Sequence, residues 1–135
     1  MTLRHQTHLA AYLLLKKWGQ LLLGLRQNTG YRDGYYGLPA GHVERGESVL
    51  EALLRETRGE VGIEVARPQL VHVCHRSDQK EYLNLIFTAS ASRGELTNGQ
   101  PHKCAGWAFF EEHALPPNLI PALGQGTPYS EAGWS

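Results

Sequence analysis

Residues 48–61 are the one stretch of this chain with the period of a helix, and β-rich segments bracket it on both sides. In "SVLEALLRETRGEV" Ser48 and Glu51 make a capping box: the hydroxyl accepts from a first-turn N–H while the carboxylate reaches back to the cap. Leu50, Leu53, Leu54, Thr57 and Val61 then fall at i, i+3, i+4, i+7 and i+11, a single stripe about the helix. One amphipathic helix in mid-chain has to bury that stripe against a sheet.

The sheet is legible around it. Leu9–Lys16 and Gln20–Arg26 are apolar stretches separated by Trp18-Gly19, which predicts a strand, a tight turn and a second strand. Gln27–Gly37, rich in Gly, Asn, Asp and Tyr, reads as a loop. Gln69–Arg76 and Glu81–Ala89 flank the polar stretch Ser77–Lys80 as a hairpin, and Cys104–Phe110 predicts a further strand. "LPPNLIP", residues 115–121, suggests a short helix or turn bounded by prolines, and Gly126–Ser135 a loosely held tail. The expected fold is an α/β (α+β) class domain over residues 1–125: a mixed β-sheet with one or two helices against it, an α/β/α sandwich.

Thirteen Lys and Arg against thirteen Asp and Glu leave no net charge, so nothing supports duplex nucleic-acid binding, which needs a basic field. The longest apolar run, Leu9–Leu15, falls far short of the roughly 20 residues of a membrane span. It is also short for a signal peptide, and Lys16, Lys17 and Trp18 follow it instead of a cleavage site. A cytoplasmic chain is expected. Cys74 and Cys104 have no partner spacing and read as reduced core thiols.

At roughly 100° per residue, Glu56 and Glu60 are neighbours one turn apart beside the apolar stripe, with Gly59 next to them and Arg55 further out. Like charges at i,i+4 cost a helix a few tenths of a kcal/mol. A solvated acidic face tolerates that, and the spacing alone leaves this reading as open as a functional one. Upstream, Gly41, Glu44, Gly46 and Glu47 form a glycine-rich acidic loop that returns onto the same helix, so a second set of carboxylates approaches the first. Clustered carboxylates and free carbonyls make a hard oxygen site suited to Mg²⁺ or Mn²⁺. Mg²⁺ held by one or two carboxylates takes substrate phosphates as further ligands.

These residues closely resemble the Nudix box of the MutT-like hydrolases, G-x5-E-x7-R-E-U-x-E-E-x-G-U, with U a bulky aliphatic. Gly41 opens it, Glu47 follows after five residues and Arg55-Glu56 after seven more, and Glu60, Gly62 and Ile63 close it. The order of strands around the segment is also similar to that family's sandwich with its loop-helix-loop. The resemblance implies Mg²⁺-dependent hydrolysis (Mn²⁺ as alternative) of a nucleoside diphosphate linked to another group, with water attacking phosphorus and a glutamate as general base. It implies Glu56 and Glu60 as metal ligands, with the backbone carbonyl of Ala40 beside them. Arg55 would orient Glu47 or Glu56 through charge-assisted hydrogen bonds, and Gly41 would give the loop its close approach to metal. No Ser or Cys nucleophile is expected.

Two positions depart from the pattern. Thr57 stands in the aliphatic place, where its methyl still packs. Gly59 replaces the first glutamate of the E-E pair, usually a metal ligand, at a helix-interior cost of about 1 kcal/mol relative to alanine. Either the metal site is rebuilt with fewer protein ligands, or catalysis is weakened and a nucleotide-binding or regulatory domain remains, or Gly59 is an introduced change. The later loop "GELTNGQPHKC" offers only Glu95, with Asn98 and Gln100 where an acid is sought; Glu111 and Glu112 are late alternatives that also read as a solvated helix start.

For the substrate, Arg26 at a strand end resembles the family's phosphate contact, and Asn118 resembles a position that bonds the base. Tyr31, Tyr35 and Tyr36 are either stacking residues or rim packing, and His42 is the histidine to watch. The stretch "GYRDGYYGLPAGHVERGES" is similar to the branch acting on nucleoside triphosphates and their oxidised forms, releasing a monophosphate and pyrophosphate, and it carries no extra insertion of the kind that suggests ADP-ribose or dinucleoside polyphosphate enzymes. The partner expected is a nucleotide, not a membrane, with the chain a monomer or homodimer.

Overall fold

Trp18 and Gly19 have φ of 55° and 73°, the left-handed pair of a two-residue hairpin turn. They fold β1 (His8–Lys17) back antiparallel on β2 (Gln20–Arg26), with Lys17 opposite Gln20. The computed structural model describes residues 4–77, 80–89 and 91–120. On its other side β1 runs parallel to β7 (Glu81–Ala89), from His8 opposite Tyr82 to Leu15 opposite Ala89. The mixed sheet runs β3 (Tyr36–Gly37), β2, β1, β7, β6 (Gln69–Ser77), with β4 (Ala40–His42) added on β1 and β9 (Cys104–Glu111) on β2. A small second sheet pairs β5 (Glu64–Ala66) with β8 (Ala91–Arg93).

Alternation along the central strands divides the core. Ala11, Leu13 and Leu15 join Leu22 and Phe87 on one face, where Leu53 and Val61 of α1 (Val49–Val61) cover them. Leu14, Leu23 and Ile86 face the other way, under Leu38 and Ile120. Among the described residues α1 is the only helix, and the far face is closed by the extended segment that carries Leu119 and Ile120. The mixed-sheet α/β sandwich expected from the sequence is the fold formed. No helix among the described residues is long and apolar enough to cross a membrane.

The caps of α1 are those its sequence announces. The Ser48 hydroxyl accepts from the Glu51 N–H at 3.1 Å, and the Glu51 carboxylate accepts from the Ser48 N–H at 2.7 Å. At the other end Gly62 takes φ of 74° and donates its N–H to the Arg58 carbonyl, the left-handed termination that glycine accepts without steric cost. Thr57 is 1% exposed, its hydroxyl bonded to the Leu53 carbonyl at 2.7 Å, so the polar atom is satisfied within the helix while the methyl packs.

Three expectations need revision. Leu50 is 46% exposed, and the buried positions are Ala52, Leu53, Thr57 and Val61. The inward arc is therefore rotated toward Ala52, which brings Glu56 and Glu60 inside it instead of beside it. Residues 115–120 form no helix: Leu119 bridges Tyr36 in parallel, with the Tyr36 N–H donating to Asn118 and the Ile120 N–H to Tyr36, both at 2.8 Å. Pro116 and Pro117 lack N–H donors for a helical turn, and the edge of β3 offers the alternative. The loop Gln27–Gly37 ends in β3, and β3, β4, β5 and β8 were too short for periodicity to reveal. The proposed tail, Gly126–Ser135, and the hairpin tip at Asp78 and Gln79 lie outside the described residues.

Trp18 is 94% exposed in a left-handed conformation that costs a bulky L-residue about 1–2 kcal/mol. Trp18→Asn is expected to stabilise the fold by about 0.5–1 kcal/mol, read as a higher urea midpoint at unchanged slope.

Candidate active site

Arg55 ties the loop before the helix to the helix itself. Its Nε and Nη2 donate to the two oxygens of Glu47 at 3.1 and 2.7 Å, its Nη1 to Glu56 Oε1 at 2.6 Å, and its Nη2 also to the His42 carbonyl at 3.1 Å. A planar guanidinium is the side chain able to hold two carboxylates and a carbonyl at once. The fork holds the Glu47 carboxyl below the usual carboxylate range, helped by the Glu44 N–H, which donates to Glu47 at 2.9 Å. The expectation that Arg55 reaches Glu47 or Glu56 is met by both.

Gly41 is where the loop touches the helix: a Cβ there would overlap the Glu56 side chain. Only glycine lets β4 lie this close to the carboxylate. One residue earlier, the Ala40 N–H donates to Glu60 Oε1 at 3.0 Å. Burial and the nearby Glu56 push the Glu60 carboxyl up to about 8, against the Ala40 N–H and the more distant Arg26 and Arg55. Ala40, Gly41, Glu47, Arg55, Glu56 and Glu60 are thus brought together.

The other residues read from the sequence fall around this centre. Arg26 donates from Nε to the Tyr31 carbonyl at 3.0 Å and from Nη2 to the Thr29 hydroxyl at 3.1 Å, so it also organises the loop after β2. Asn118 gives its amide to the Gly34 carbonyl at 2.7 Å, tying residues 115–120 to that loop. Tyr31 is exposed, whereas Tyr36 packs edge-on against Phe110. Glu111 accepts from Gln20 and Glu112 pairs with Lys16, at the hairpin end of β2 away from Arg26. Asn98 bonds the Cys104 carbonyl, and both cysteines are free thiols.

Two arrangements escaped the sequence. The Thr97 and Gly99 N–H groups donate to the Val61 and Glu60 carbonyls at 2.9 and 3.0 Å, closing the helix end that carries Glu60; the glycines of "GELTNGQ" were the available signal. His8 and Tyr82 meet His42 across the β1–β7 pairing, and residues so far apart in the chain carry no local signal.

The donor chemistry fits a hard divalent cation. Glu60 is a half-buried carboxylate beside a second one, and among the described residues no basic side chain bonds to it. A cation offsets that repulsion. Among the described residues no group of three or more His, Cys, Asp or Glu side chains is placed to hold a metal, so side chains alone do not form a closed metal cage here. Gly59 is exposed, and a Cβ added to it would meet nothing within 4 Å. Packing therefore does not require the glycine.

A NUDIX domain model matches residues 4–129. The chain is 32% identical over 106 residues to an ADP-ribose pyrophosphatase of Methanocaldococcus jannaschii, covering 76% of this chain and 61% of that protein. It is 27% identical to an 8-oxo-dGTP diphosphatase of Proteus vulgaris, covering 70% of this chain and 85% of the relative. It is 37% identical to an NAD-capped RNA hydrolase NudC of Stutzerimonas stutzeri, spanning 77% of this chain but 36% of that protein. The chain thus spans about three fifths of the archaeal relative and about a third of the NudC protein. A crystal structure of a MutT NUDIX hydrolase from Burkholderia pseudomallei superposes with a TM-score of 0.82 at 27% identity, covering 88% of this chain and 94% of that one.

A carboxyl raised in the fold favours the protonated native state. In metal-free protein, stability linked to Glu60 is therefore full below its ordinary value near 4.5 and is lost as pH rises through about 8. Thermal melts in chelator are expected to fall across that window, Glu60→Gln to flatten the fall, and Mg²⁺ at pH 8 to restore wild type more than the variant.

Proposed function

The chain belongs to the NUDIX domain family, and on that premise we propose that it is a Mg²⁺-dependent pyrophosphohydrolase cutting a nucleoside diphosphate linked to a further group. The substrate in this reading is a nucleoside triphosphate or an oxidised form of one, cut to a monophosphate and pyrophosphate. The observation that carries the reading is the Arg55 fork, which holds Glu47 and Glu56 together one helical turn from the half-buried Glu60.

Glu56 and Glu60, with the carbonyl of Ala40, would hold Mg²⁺, and Mn²⁺ would substitute for it. When bound, the ion supplies positive charge to the pyrophosphate oxygens and acidity to water. Glu47 spends both oxygens on Arg55 and serves as the orienting group. A glutamate of this cluster accepts the proton of the attacking water. Gly41 keeps the loop against Glu56, Arg26 faces the phosphates, and Asn118 borders the nucleoside end. A cytoplasmic setting completes the reading.

Gly59 favours a second reading, a nucleotide-binding domain with weakened catalysis. A panel of nucleotides assayed for phosphate and pyrophosphate release with and without Mg²⁺ separates the two. Wild type is expected to turn over only with the metal, and Gly59→Glu, for which the helix has room, to raise kcat modestly. Release by the variant alone would establish the binding domain. Glu60→Gln is expected to lower kcat about 10- to 100-fold with a smaller change in KM; an unchanged kcat would mean that the metal sits on other residues.

A further inference from the structure

The last turn of α1 is gripped from outside by a turn far along the chain. A helix leaves its last four carbonyls without partners of its own. Here the Arg58 carbonyl takes the Gly62 N–H, the Glu60 carbonyl takes the Gly99 N–H at 3.0 Å, and the Val61 carbonyl takes the Thr97 N–H at 2.9 Å. The Gly59 carbonyl lies against Gly99 itself, where a Cβ would overlap its oxygen. We infer that Gly99, held in place by Asn98, is a positioning residue for Glu60: it fixes the backbone from which that carboxylate reaches the metal. The inference rests on the hydrolase reading, with Glu60 as a metal ligand, and adds residues outside the helix that set where the ligand stands.

Closeness is the first argument. Gly99 meets main chain, so no flexible side chain lies between the turn and the helix to absorb a displacement, and tightly packed groups pass strain on. The approach extends along the segment. A Cβ on Gly62 would overlap the Thr97 hydroxyl, and one on Gly94 would stand 3.0 Å from the Gly62 carbonyl oxygen. Residues 94–99 thus lie flat on the helix end.

Anchorage is the second. Asn98 Nδ2 donates to the Cys104 carbonyl at 2.7 Å, and its Oδ1 accepts from the Gln100 N–H at 3.2 Å. The Cys104 N–H in turn donates to the Gln100 carbonyl at 2.9 Å. Cys104 opens β9 opposite Arg26, so the turn is tied to the sheet through the side chain of Asn98. Glu60 is therefore held at both ends: its carboxylate by the Ala40 N–H of β4, its carbonyl by Gly99. Both holders hang from the same sheet, which sets the distance between them.

Location is the third. Burial, and to a smaller degree the charge of Glu60, push the Cys104 thiol up, so the anchor of the turn lies within electrostatic reach of the carboxylate. Asn98 spends its amide on the turn at both ends and acts through backbone, not as a ligand.

The test combines Mn²⁺ binding to the full chain without nucleotide, read by electron paramagnetic resonance, with steady-state kinetics on a nucleoside triphosphate in Mg²⁺. Gly99→Ala and Asn98→Ala are each expected to weaken Mn²⁺ binding and to lower kcat about tenfold, the scale for a group that orients a metal ligand, with KM near wild type. Gly106→Ala, where a Cβ meets nothing within 4 Å, is expected to match wild type in both. Melts in chelator report folding, and if Gly99→Ala does not fold, Asn98→Ala decides. A lower melting temperature in Asn98→Ala with Mn²⁺ binding and kcat unchanged would make the turn a helix clamp alone and overturn the inference. A change in KM only, an equal loss in Gly106→Ala, or no Mn²⁺ binding by wild type would also overturn it. If wild type binds Mn²⁺ but turns over no nucleotide, the hydrolase reading fails and the inference is judged on the metal: weaker binding in Asn98→Ala supports it, and unchanged binding overturns it.

Discussion

Two carboxylates on the inward face of one helix would ordinarily break a fold's interior, and the arrangement around Arg55 is what makes them tolerable. The guanidinium neutralises Glu47 and Glu56 together and anchors the His42 carbonyl, so the loop cannot leave without stranding charge. Glu60, deeper, has a single N–H from Ala40, and that donor comes from the same loop. The acidic residues and the backbone that shields them are therefore one unit: loosening either exposes the other. Replacing Arg55 by lysine would keep a charge but lose the fork.

Much of this unit was legible because its parts are close in sequence. Ser48 and Glu51 announced the helix start, Gly62 its end, and the intervals from Gly41 to Glu47 to Arg55 are short enough for spacing to carry geometry. The rotation of the helix was less legible. Leu50 counts as apolar in any periodicity, but its place in the first turn leaves it beyond the sheet's cover, and Glu56 and Glu60 took the inward arc. Residues 115–120 misled for a different reason. Proline pairs punctuate helices and edge strands alike, and only the free edge beside Tyr36 decides between them. The His8, His42 and Tyr82 group had no sequence signal, because strand register brings it together.

Gly59 divides local from global logic. As a helical residue it is costly, and as a surface position it is unconstrained, since open space faces it. The neighbouring turn is the opposite case: the carbonyls of Glu60 and Val61 are closed by the Gly99 and Thr97 N–H groups. The end of the helix is thus fixed by backbone while one of its side-chain positions is vacant.

The parallel pairing of β1 with β7 has a consequence for how the molecule comes into being. His8 finds Tyr82 and Leu15 finds Ala89 only after the whole intervening chain has closed a long loop, a slow event when contacts are this remote in sequence. The β1–β2 hairpin and α1 need only near neighbours and can form first. The contact of the His8 ring with Tyr82 depends on that late pairing, so the far end of β1 gains its aromatic neighbours only after the helix with its acidic residues can already exist.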